Sequence, residues 1–479
     1  MLLAHYHLSA SLSCCSRDSH ASQGIRLDCS RANSVVDVSN VQWPSVSNVL
    51  SETESQFNQA KKICHPSSSN TIQTSMSNSN NDEDTDQLEL MGASNDSNAT
   101  QFDITKLPDS FQKFLKDNSI DPQIYTVAKL PRYIRTNTHL PADKRPSLQD
   151  LKTQFQTDKV YAVDGLAHFF SVQLDETTQR ISDVPAYKKH AIFGIDLSSA
   201  IAVEALEVQK DDQVLDLCCA PGAKLCMIAN LLGRDGLGTV TGVDLAGHRL
   251  ATCRSLLKKY KVGEKVRLFE ADGTAFGVPP PSRLGGRMIH NKNVDEKDMT
   301  TRKRQKLDLV KPFWASRLLR FDNQTPSLTN ALYDKVLVDA ECTHDGSIAH
   351  ILKYEKWGWD TFEKNFMDPH RIDTIAELQC NLMKQGWHML KPGGIMIYST
   401  CSLSIRQNED NVAWFLNEFK DAQLEKIPSF NIPPAEIKQQ QFHPALQGDI
   451  EANCLRFDPI SSNTSGFFVA RFVKAALFT

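Results

Sequence analysis

Short apolar runs alternate with longer amphipathic runs through the second half of the chain. Five apolar runs predict buried strands: QVLDL, TVTGVD, KVRLFEAD, YDKVLVDA and GGIMIYST. Helical patterns such as AKLCMIANLL and HRLATCRSLLKKY follow the first, second, fourth and fifth of them. Strands that alternate with helices indicate an α/β fold with a mostly parallel sheet that is covered on both faces. The last runs, CLRFDP and GFFVARFV, have no helical pattern between them and predict an antiparallel C-terminal edge.

A smaller set of elements precedes this sheet. The stretch LPDSFQKFLKDN has the spacing of a helix that brings Phe111, Phe114 and Leu115 to one face. The stretch LPRYIRTNT follows as a strand, and PSLQDLKTQF follows as a second helix with Pro-Ser at its start. We therefore expect a small α/β domain over residues 102–190 and a larger domain over residues 191–479.

Two stretches lack such a pattern. Residues 1–101 are rich in Ser and Asn and poor in apolar residues, so we expect a disordered segment. An organelle transit peptide is the alternative for its start. The compartment therefore stays open, with nucleus, nucleolus or cytoplasm favoured over mitochondrion or plastid. The segment 278–331 is too long for an ordinary connection between two strands, and it predicts a mobile basic insertion. Its TRKRQK run either contacts RNA phosphates, acts as a nuclear import signal or is a solvated charged loop.

The composition of the 479-residue chain narrows the functional classes. A formal net charge of -4 excludes a globally basic nucleic-acid binder, so any RNA contact needs a local basic surface. No run of 18 apolar residues occurs, which predicts no transmembrane helix. The 12 cysteines include no C-x-x-C pair, so neither a disulfide framework nor a zinc site is expected, and a reducing compartment is the simpler interpretation.

The residues that follow the first three strands predict a nucleoside site, because ligands bind at the carboxyl ends of strands in such sheets. In DLCCAPGAK, Gly222 lets the backbone approach a ligand at the start of a helix. Asp244 ends the second strand, where an acid can hold ribose hydroxyls, and Asp272 follows the third, placed to accept from an adenine amino group. The G-x-G-x-x-G pattern is missing, which favours an adenosine without phosphates, namely S-adenosylmethionine.

These residues also have a purely structural interpretation. An Asp at the end of a strand often caps the next helix, although acids in register after successive strands are harder to explain in that way. Cys218, Cys219 and Cys226 are interpreted more simply as small core residues, because free cysteine is among the most buried residue types.

Asp339, Cys342 and Cys401 follow the fourth and fifth strands, in DAECTHDGS and YSTCSLS. Neighbouring strands would bring all three to one rim. Methylation of cytosine at C5 needs such a set, because a thiolate must add to C6 before C5 becomes nucleophilic, and an acid near N3 stabilises the adduct. A lone strand-end cysteine is more often structural. A free thiol with a pKa near ~8.5 needs help, and no Lys or His flanks Cys401, so we expect that help from Lys224, the sulfonium charge or residues distant in sequence.

In order and spacing these motifs resemble those of RsmB/Nop/Sun-type RNA cytosine-C5 methyltransferases. The motifs are DLCCAPGAK, VDLAGHR, ADGTAF, VDAECTHDGS and YSTCSLSIRQNEDNV, and the likeness covers residues 102–474 except the insertion. It implies a Rossmann-like catalytic domain, S-adenosylmethionine as cofactor, and methylation of tRNA or rRNA through a covalent cysteine–C6 adduct. It also implies that Cys401 is the nucleophile, that Cys342 assists product release and that Asp339 binds cytosine. The cofactor-binding residues it implies are Cys218, Cys219, Ala220, Pro221, Gly222, Ala223, Lys224, Asp244, Arg249, Asp272 and Asp339.

The chain departs from the family pattern at three positions. Ala223 replaces the second glycine of the cofactor loop, and Thr343 replaces the usual serine after the fourth-strand cysteine. Glu341 stands where the family has proline, so the loop loses a fixed φ and gains a carboxylate beside Cys342. The change predicts altered product release. A catalytically impaired cofactor-binding RNA scaffold or ribosome assembly factor is the alternative.

The remaining predictions concern partners. PRYIRTN resembles the family's RNA-recognition-like subdomain, and Arg132, Arg135 and Lys188-Lys189 offer phosphate contacts or are solvated surface charges. In HILKYEKWGWDTF the aromatic residues either stack on unpaired bases or form the apolar side of a lid; they are Tyr354, Trp357 and Trp359. We expect RNA as the partner, a monomer, and neither membrane nor metal.

Overall fold

The computed structural model describes residues 102–127, 129–175, 178, 180–281, 311–319 and 332–476. The predicted disordered or targeting segment, residues 1–101, lies outside these described residues. Residues 282–310 and 320–331 of the predicted insertion also lie outside them. Within the described part, no helix combines the length and the apolar character that crossing a bilayer would require.

The first part of the described chain contains an antiparallel four-stranded sheet. Its strands are β1 (Arg132–Thr136), β2 (Val160–Ala162), β3 (Phe169–Val172) and β4 (Ile192–Gly194). They lie in the order β2-β3-β1-β4. The helices of this part are α1 (Asp109–Asp117), α2 (Leu148–Phe155) and α3 (Pro185–Lys188). The last strand of this sheet begins just beyond residue 190, and the division into domains 102–190 and 191–479 stays a prediction.

The first two helices form where the sequence pattern predicts them. Helix α1 buries Phe111, Phe114 and Leu115, the three residues spaced to share one face. Helix α2 begins at a capping box, in which Ser147 and Asp150 exchange side-chain and backbone hydrogen bonds. The capping box satisfies backbone N–H groups that the first turn of the helix leaves without partners.

The larger sheet is mixed. Its strands are β5 (Gln213–Asp216), β6 (Thr239–Asp244), β7 (Val266–Glu270), β8 (Trp314–Ala315), β9 (Tyr333–Asp339), β10 (Leu390–Thr400), β11 (Ala422–Glu425), β12 (Leu455–Phe457) and β13 (Phe467–Lys474). Among the described residues the order is β11-β13-β10-β9-β5-β6-β7-β8, with β12 paired to β13. The five strands predicted from apolar runs are the parallel centre of this sheet, which confirms the α/β, Rossmann-like fold class.

Helices cover both faces of the sheet. They are α4 (Leu197–Glu204), α5 (Ala223–Leu231), α6 (Gly247–Tyr260), α7 (Ile348–Trp357), α8 (Trp359–Phe362), α9 (Pro369–Met389), α10 (Glu409–Glu418) and α11 (Gln447–Asn453). Alternate residues of a strand point to opposite faces, so Val214 packs in the cluster that contains α5 and α6, while Leu215 packs in the cluster that contains α9 and α10. Burial on both faces explains why the central strands carry apolar residues at both odd and even positions rather than in strict alternation with polar ones.

The sheet edges contain elements that the sequence pattern does not predict. Strands β12 and β13 pair antiparallel, as expected, but β13 also pairs with β10 and with β11 and is therefore not the outermost strand. At the other edge β8 pairs antiparallel with β7. Strand β8 lies inside the predicted insertion 278–331, so part of that segment belongs to the sheet.

Helix α1 and the turn that follows it pack against α7 and α8 rather than against the small sheet. Phe111, Tyr125, Tyr354 and Phe362 form the centre of this apolar cluster, and their rings meet edge to face or tilted. Tyr354 is therefore a core residue and is not available to stack on a base, whereas Trp357 is exposed. The cluster supports the helices that directly follow the loop after β9.

Candidate active site

Strands β9 and β10 bring the predicted catalytic residues together. The two strands are parallel, and Asp339 lies opposite Ser399, two residues before Cys401. The loop after β9 places Cys342 so that its Sγ atom lies 3.2 Å from Sγ of Cys401. The structure therefore places Asp339, Cys342 and Cys401 at one rim of the sheet.

Lys224 connects this rim to the predicted cofactor loop. Its Nζ atom lies 2.7 Å from Oδ2 of Asp339 and 5.0 Å from the ring centre of Phe467, while Oδ1 of Asp339 accepts a 2.8 Å hydrogen bond from Ser399. Burial lowers the pKa of Lys224, but the carboxylate of Asp339 outweighs this effect and raises it above the ordinary value. Lys224 therefore holds a positive charge at the rim.

His344 is a functional candidate that the sequence interpretation missed. Its Nδ1 atom lies 2.9 Å from Sγ of Cys401 and 3.8 Å from Sγ of Cys342. The available signal was its position two residues after Cys342, within DAECTHDGS. The backbone of His344 has φ of 53°, the left-handed region, which is uncommon for a residue other than glycine.

The three groups differ in burial and in protonation. Cys342 is 1% exposed, and burial raises the pKa of its thiol well above the usual range, so it is a neutral thiol near pH 7. Cys401 and His344 are only partly buried. Burial lowers the pKa of His344, but negative charge on neighbouring groups, including Glu341 and Asp345, outweighs burial and raises it overall. The environment thus favours an imidazolium beside Cys401.

The same three side chains have the spacing of a metal site. Sγ of Cys342, Nδ1 of His344 and Sγ of Cys401 lie within 4.8 Å of one another, and sulfur and imidazole nitrogen are donors that Zn²⁺ prefers. A cation held there would compete with a substrate for the thiolate of Cys401. We therefore interpret the set as a thiol–imidazole cluster, and the expectation of no metal stays a prediction.

Asp345 joins the two loops that carry the cysteines. Its carboxylate accepts hydrogen bonds from the hydroxyl of Thr343, from Oγ of Ser402 at 2.7 Å and from the backbone N–H of Leu403 at 2.6 Å. The backbone N–H of Gly346 also donates to the carbonyl of Cys401 at 2.9 Å. A buried carboxylate with three donors fixes both loops in one arrangement.

Glu341, the main departure from the family pattern, forms an ion pair with Arg371. Its side chain lies 3.0 Å from the guanidinium of Arg371, and both side chains are nearly half exposed. The amide of Gln379 donates a 2.7 Å hydrogen bond to the backbone carbonyl of Glu341. The loop is thus held by hydrogen bonds where the family has proline.

The predicted cofactor loop has the backbone that its sequence requires. Gly222 has φ of 110°, and helix α5 begins directly after it, so its conformation needs glycine. The peptide bond between Ala220 and Pro221 is cis. Asp244 accepts a 3.3 Å hydrogen bond from the N–H of Ala220, and Arg249 donates a 3.2 Å bond to the carbonyl of Ala220. These two residues hold the loop against the end of β6.

The other predicted cofactor residues have structural contacts of their own. Asp272 is exposed and accepts hydrogen bonds from the N–H and the hydroxyl of Thr274, as a capping residue does. Cys219 and Cys226 are buried, which agrees with their interpretation as small core residues, and Cys218 is partly buried. Pro221, Ala223 and Ala220 lie partly exposed in the loop.

Asp216, at the end of β5, is a buried carboxyl group that sequence interpretation did not single out. It is 1% exposed, and neither of its oxygens has a hydrogen-bond partner among the described residues. Burial, and then the nearby Asp339, raise the pKa of Asp216 to about 8. Asp216 therefore lies, without a group that donates a hydrogen bond to it among the described residues, at the rim where a ligand is predicted to bind.

The proposed RNA-binding arginines are corrected in part. Arg135 is 2% exposed, lies between the rings of Phe169 and Phe193, and donates to Oδ1 of Asn230. It is a core residue that joins the small sheet to α5, so it is neither a phosphate contact nor a solvated charge. Lys188 and Lys189 are exposed and remain candidates.

Comparisons with known proteins agree with this architecture. A family model described as 16S rRNA methyltransferase RsmB/F matches residues 203–282 and 294–473. The chain is 24% identical over 317 residues to ribosomal RNA small subunit methyltransferase B of Yersinia enterocolitica, which covers 66% of this chain and 56% of the relative. It is 26% identical over 302 residues to the human tRNA (cytosine(72)-C(5))-methyltransferase NSUN6, which covers 59% of this chain and 53% of the relative.

The chain thus spans little more than half the length of these relatives. Among solved structures, NSun6 from Pyrococcus horikoshii with SFG is 18% identical with a TM-score of 0.49, and the match covers 77% of this chain and 98% of that chain. The family model, in contrast, matches more than half of the chain and spans every strand from β5 to β13. The chain therefore belongs to the 16S rRNA methyltransferase RsmB/F family.

Proposed function

We propose that the protein is an S-adenosylmethionine-dependent RNA cytosine-C5 methyltransferase that acts on tRNA or rRNA through a cysteine–C6 adduct. The observation that carries the proposal is the contact between Cys401 and Cys342 beside Asp339, at the rim shared with the glycine loop. Relatives named as rRNA and tRNA methyltransferases support the substrate class.

The residues at the rim fit the cofactor. Asp216 offers a buried carboxyl group without a partner, of the kind that an amino group of a ligand satisfies. The N–H groups at the start of α5 and the carboxylate of Asp244 suit a nucleoside, with Asp272 at the exposed end. When bound, S-adenosylmethionine supplies an electrophilic methyl group on a sulfonium sulfur.

The protein's own side chains divide the remaining work. Cys401 is the accessible thiol and adds to C6 of cytosine, which makes C5 nucleophilic. Asp339, fixed by Ser399 and Lys224, is placed to bind the N3 side of the ring. Cys342 is buried, neutral and 3.2 Å from Cys401, so it is placed to assist when the Cys401 sulfur leaves.

The proposal is tested with radiolabelled cofactor and cellular RNA, followed by nucleoside analysis for 5-methylcytosine. We expect Cys401→Ala to abolish formation of 5-methylcytosine. The matched control is Cys454→Ala, which changes a buried cysteine at the C-terminal end of α11 and should retain the product. 5-Methylcytosine formed at the wild-type rate by Cys401→Ala would remove Cys401 as the nucleophile.

A second variant separates catalysis from scaffolding. If Cys342 assists release, Cys342→Ala accumulates a covalent protein–RNA adduct that survives denaturation. A scaffold that only binds RNA forms no such adduct. Sequencing of methylated cytosines in RNA from cells with and without the protein then identifies the substrate.

A further inference from the structure

We propose that His344 is the base that removes the proton from Cys401, so that Cys401 and His344 act as a catalytic pair. This inference rests on the proposed function, because it names the group that makes the nucleophile of that reaction reactive. Sequence resemblance does not supply the assignment, since the nucleophile is carried over from the motif around Cys401 and His344 lies in a different loop.

The geometry identifies which thiol the imidazole serves. Nδ1 of His344 lies 2.9 Å from Sγ of Cys401, within hydrogen-bond distance, but 3.8 Å from Sγ of Cys342. Cys401 and His344 are both partly exposed, so a substrate and solvent can reach them, while Cys342 is buried. A nucleophile beside a base that is itself held in place is the arrangement that covalent catalysis requires.

The loop holds the imidazole in this position. The ring of His344 meets the rings of His350 and Phe366 edge to face, at centroid distances of 6.1 and 6.0 Å. The neighbouring Asp345 fixes the backbone through Thr343, Ser402 and Leu403. The base therefore depends on contacts from α7 and from both loops.

Lys224, the activator expected from sequence, is a poorer base. Its Nζ atom is paired with Asp339 at 2.7 Å, and that carboxylate raises the pKa of Lys224 above its ordinary value. The carboxylate of Asp339 thus engages this amine, whereas the imidazole of His344 contacts the Cys401 sulfur directly. Lys224 contributes positive charge at the rim, and the contact at 2.9 Å places His344 to take the proton of Cys401.

The charged and titratable groups around His344 favour proton transfer to it. They are Cys342, Cys401, Glu341, Asp345 and His350. Burial opposes an imidazolium, but the nearby carboxylates of Glu341 and Asp345 favour it. An imidazolium beside a thiolate is the state in which catalytic cysteines are reactive at neutral pH.

The proton and the electrons balance as follows. The S–H bond of Cys401 breaks, and its proton goes to Nδ1 of His344. The sulfur lone pair forms the S–C6 bond, the C5=C6 π pair moves to C5, and C5 takes the methyl group as the methyl–sulfur bond of the cofactor breaks. When a base later removes the C5 proton, the S–C6 bond breaks, and the proton on His344 can return to the departing Cys401 sulfur.

The test measures the reactivity of Cys401 without RNA or cofactor. The full chain is alkylated with iodoacetamide between pH 5 and pH 10, and the modified Cys401 peptide is quantified by mass spectrometry. We expect wild-type Cys401 to react well below the ~8.5 midpoint of a free thiol, and His344→Ala to move the midpoint to that value and slow alkylation at pH 7 by about tenfold or more. His370→Ala, which changes an exposed histidine of α9, is the matched control, and its profile should follow the wild type.

The conservative variant His344→Asn suits a backbone with positive φ and keeps a hydrogen-bonding group without a base, so it should behave like His344→Ala. The assignment would be overturned if the pH profiles of Cys401 alkylation coincided for the wild type and His344→Asn. It would also be overturned if the wild-type midpoint lay near ~8.5, a result that does not depend on any variant folding. If the profile shifts as expected but no RNA gains 5-methylcytosine, the proposed function alone fails.

Discussion

The Sγ atoms of Cys342 and Cys401 lie 3.2 Å apart, within contact distance of each other. Hydrogen peroxide should oxidise this pair to a disulfide, in which two thiols lose two hydrogens and peroxide is reduced to two waters. We expect loss of Cys401 alkylation and of methyl transfer, with recovery in dithiothreitol. The joined peptides are detected by non-reducing digestion and mass spectrometry.

The control for this oxidation is Cys342→Ala, which leaves Cys401 without its neighbouring sulfur. It should give a sulfenic acid at Cys401 rather than a cross-linked peptide. Equal cross-linking of Cys401 to some other cysteine in this variant would show that the 3.2 Å contact does not direct the oxidation.

Asp345 should be essential for the shape of the site. Replacing it by Ala leaves buried donors at Thr343, Ser402 and Leu403 without their acceptor, and each unsatisfied buried group costs about 1–3 kcal/mol. We expect a loss of several kcal/mol in the free energy of unfolding, measured by urea denaturation. Asp183→Ala, in a short turn of the small-sheet region, is a control that should change stability by less than about 1 kcal/mol.

The ion pair between Arg456 and Glu409 is a second support of the loop that contains Cys401 and Leu403. Both side chains are almost fully buried, and Arg456 also donates a 2.8 Å hydrogen bond to the carbonyl of Leu403. Arg456→Met leaves the Glu409 charge uncompensated, so we expect it to cost about 3–5 kcal/mol in urea denaturation. Breaking the exposed Lys113–Asp117 pair by Lys113→Ala should cost about 0.3–0.5 kcal/mol. Similar costs for the two variants would contradict this interpretation.

Asp216 should make the stability of the cofactor-free protein depend on pH. Its pKa is raised from 3.8 to about 8 in the folded state, so the folded protein holds this proton more tightly than the unfolded chain does. The contribution is therefore fully present below pH 4 and is lost as the pH rises toward about 8.

The matching variant is Asp216→Asn, which removes the titration. Relative to the wild type it should gain stability between pH 4 and pH 8, by an amount on the order of a few kcal/mol. Urea denaturation at pH 4, 6 and 8 measures the difference. A difference that stays constant over this range would mean that Asp216 is ionised in the folded protein.

The central strands were predictable because buried strands appear in the sequence as short apolar runs. The edge strands were not predictable, because they are only partly buried and no such run marks them. QVLDL and TVTGVD are buried at almost every position because helices cover both faces, and each forms the expected strand. Strand β11 reads AQLE and is only partly buried, so no apolar run marks it. Its pairing depends on the position of β13, which local sequence does not specify.

The rim that contains Asp339 and Cys401 was predictable in part, because the two strands that carry these residues were predictable. Asp339 and Cys401 end strands, and parallel neighbours bring strand ends together. The approach of His344 to Cys401 depends on a loop residue with positive φ, and no local pattern announces that conformation. The burial of Arg135 depends on rings from two other strands, so an arginine that resembled a surface charge is part of the core.

The hydroxyl of Tyr125 donates a 2.7 Å hydrogen bond to the backbone carbonyl of Asp345, and both residues are fully buried. The turn that follows the first helix is thus attached to the backbone of the residue whose carboxylate joins the two cysteine loops. A shortened protein that starts after residue 127 would expose the apolar faces of α7 and α8 and release Asp345. We therefore expect a fragment that keeps this rim folded to begin before Asp109, well ahead of the first residue matched by the family model.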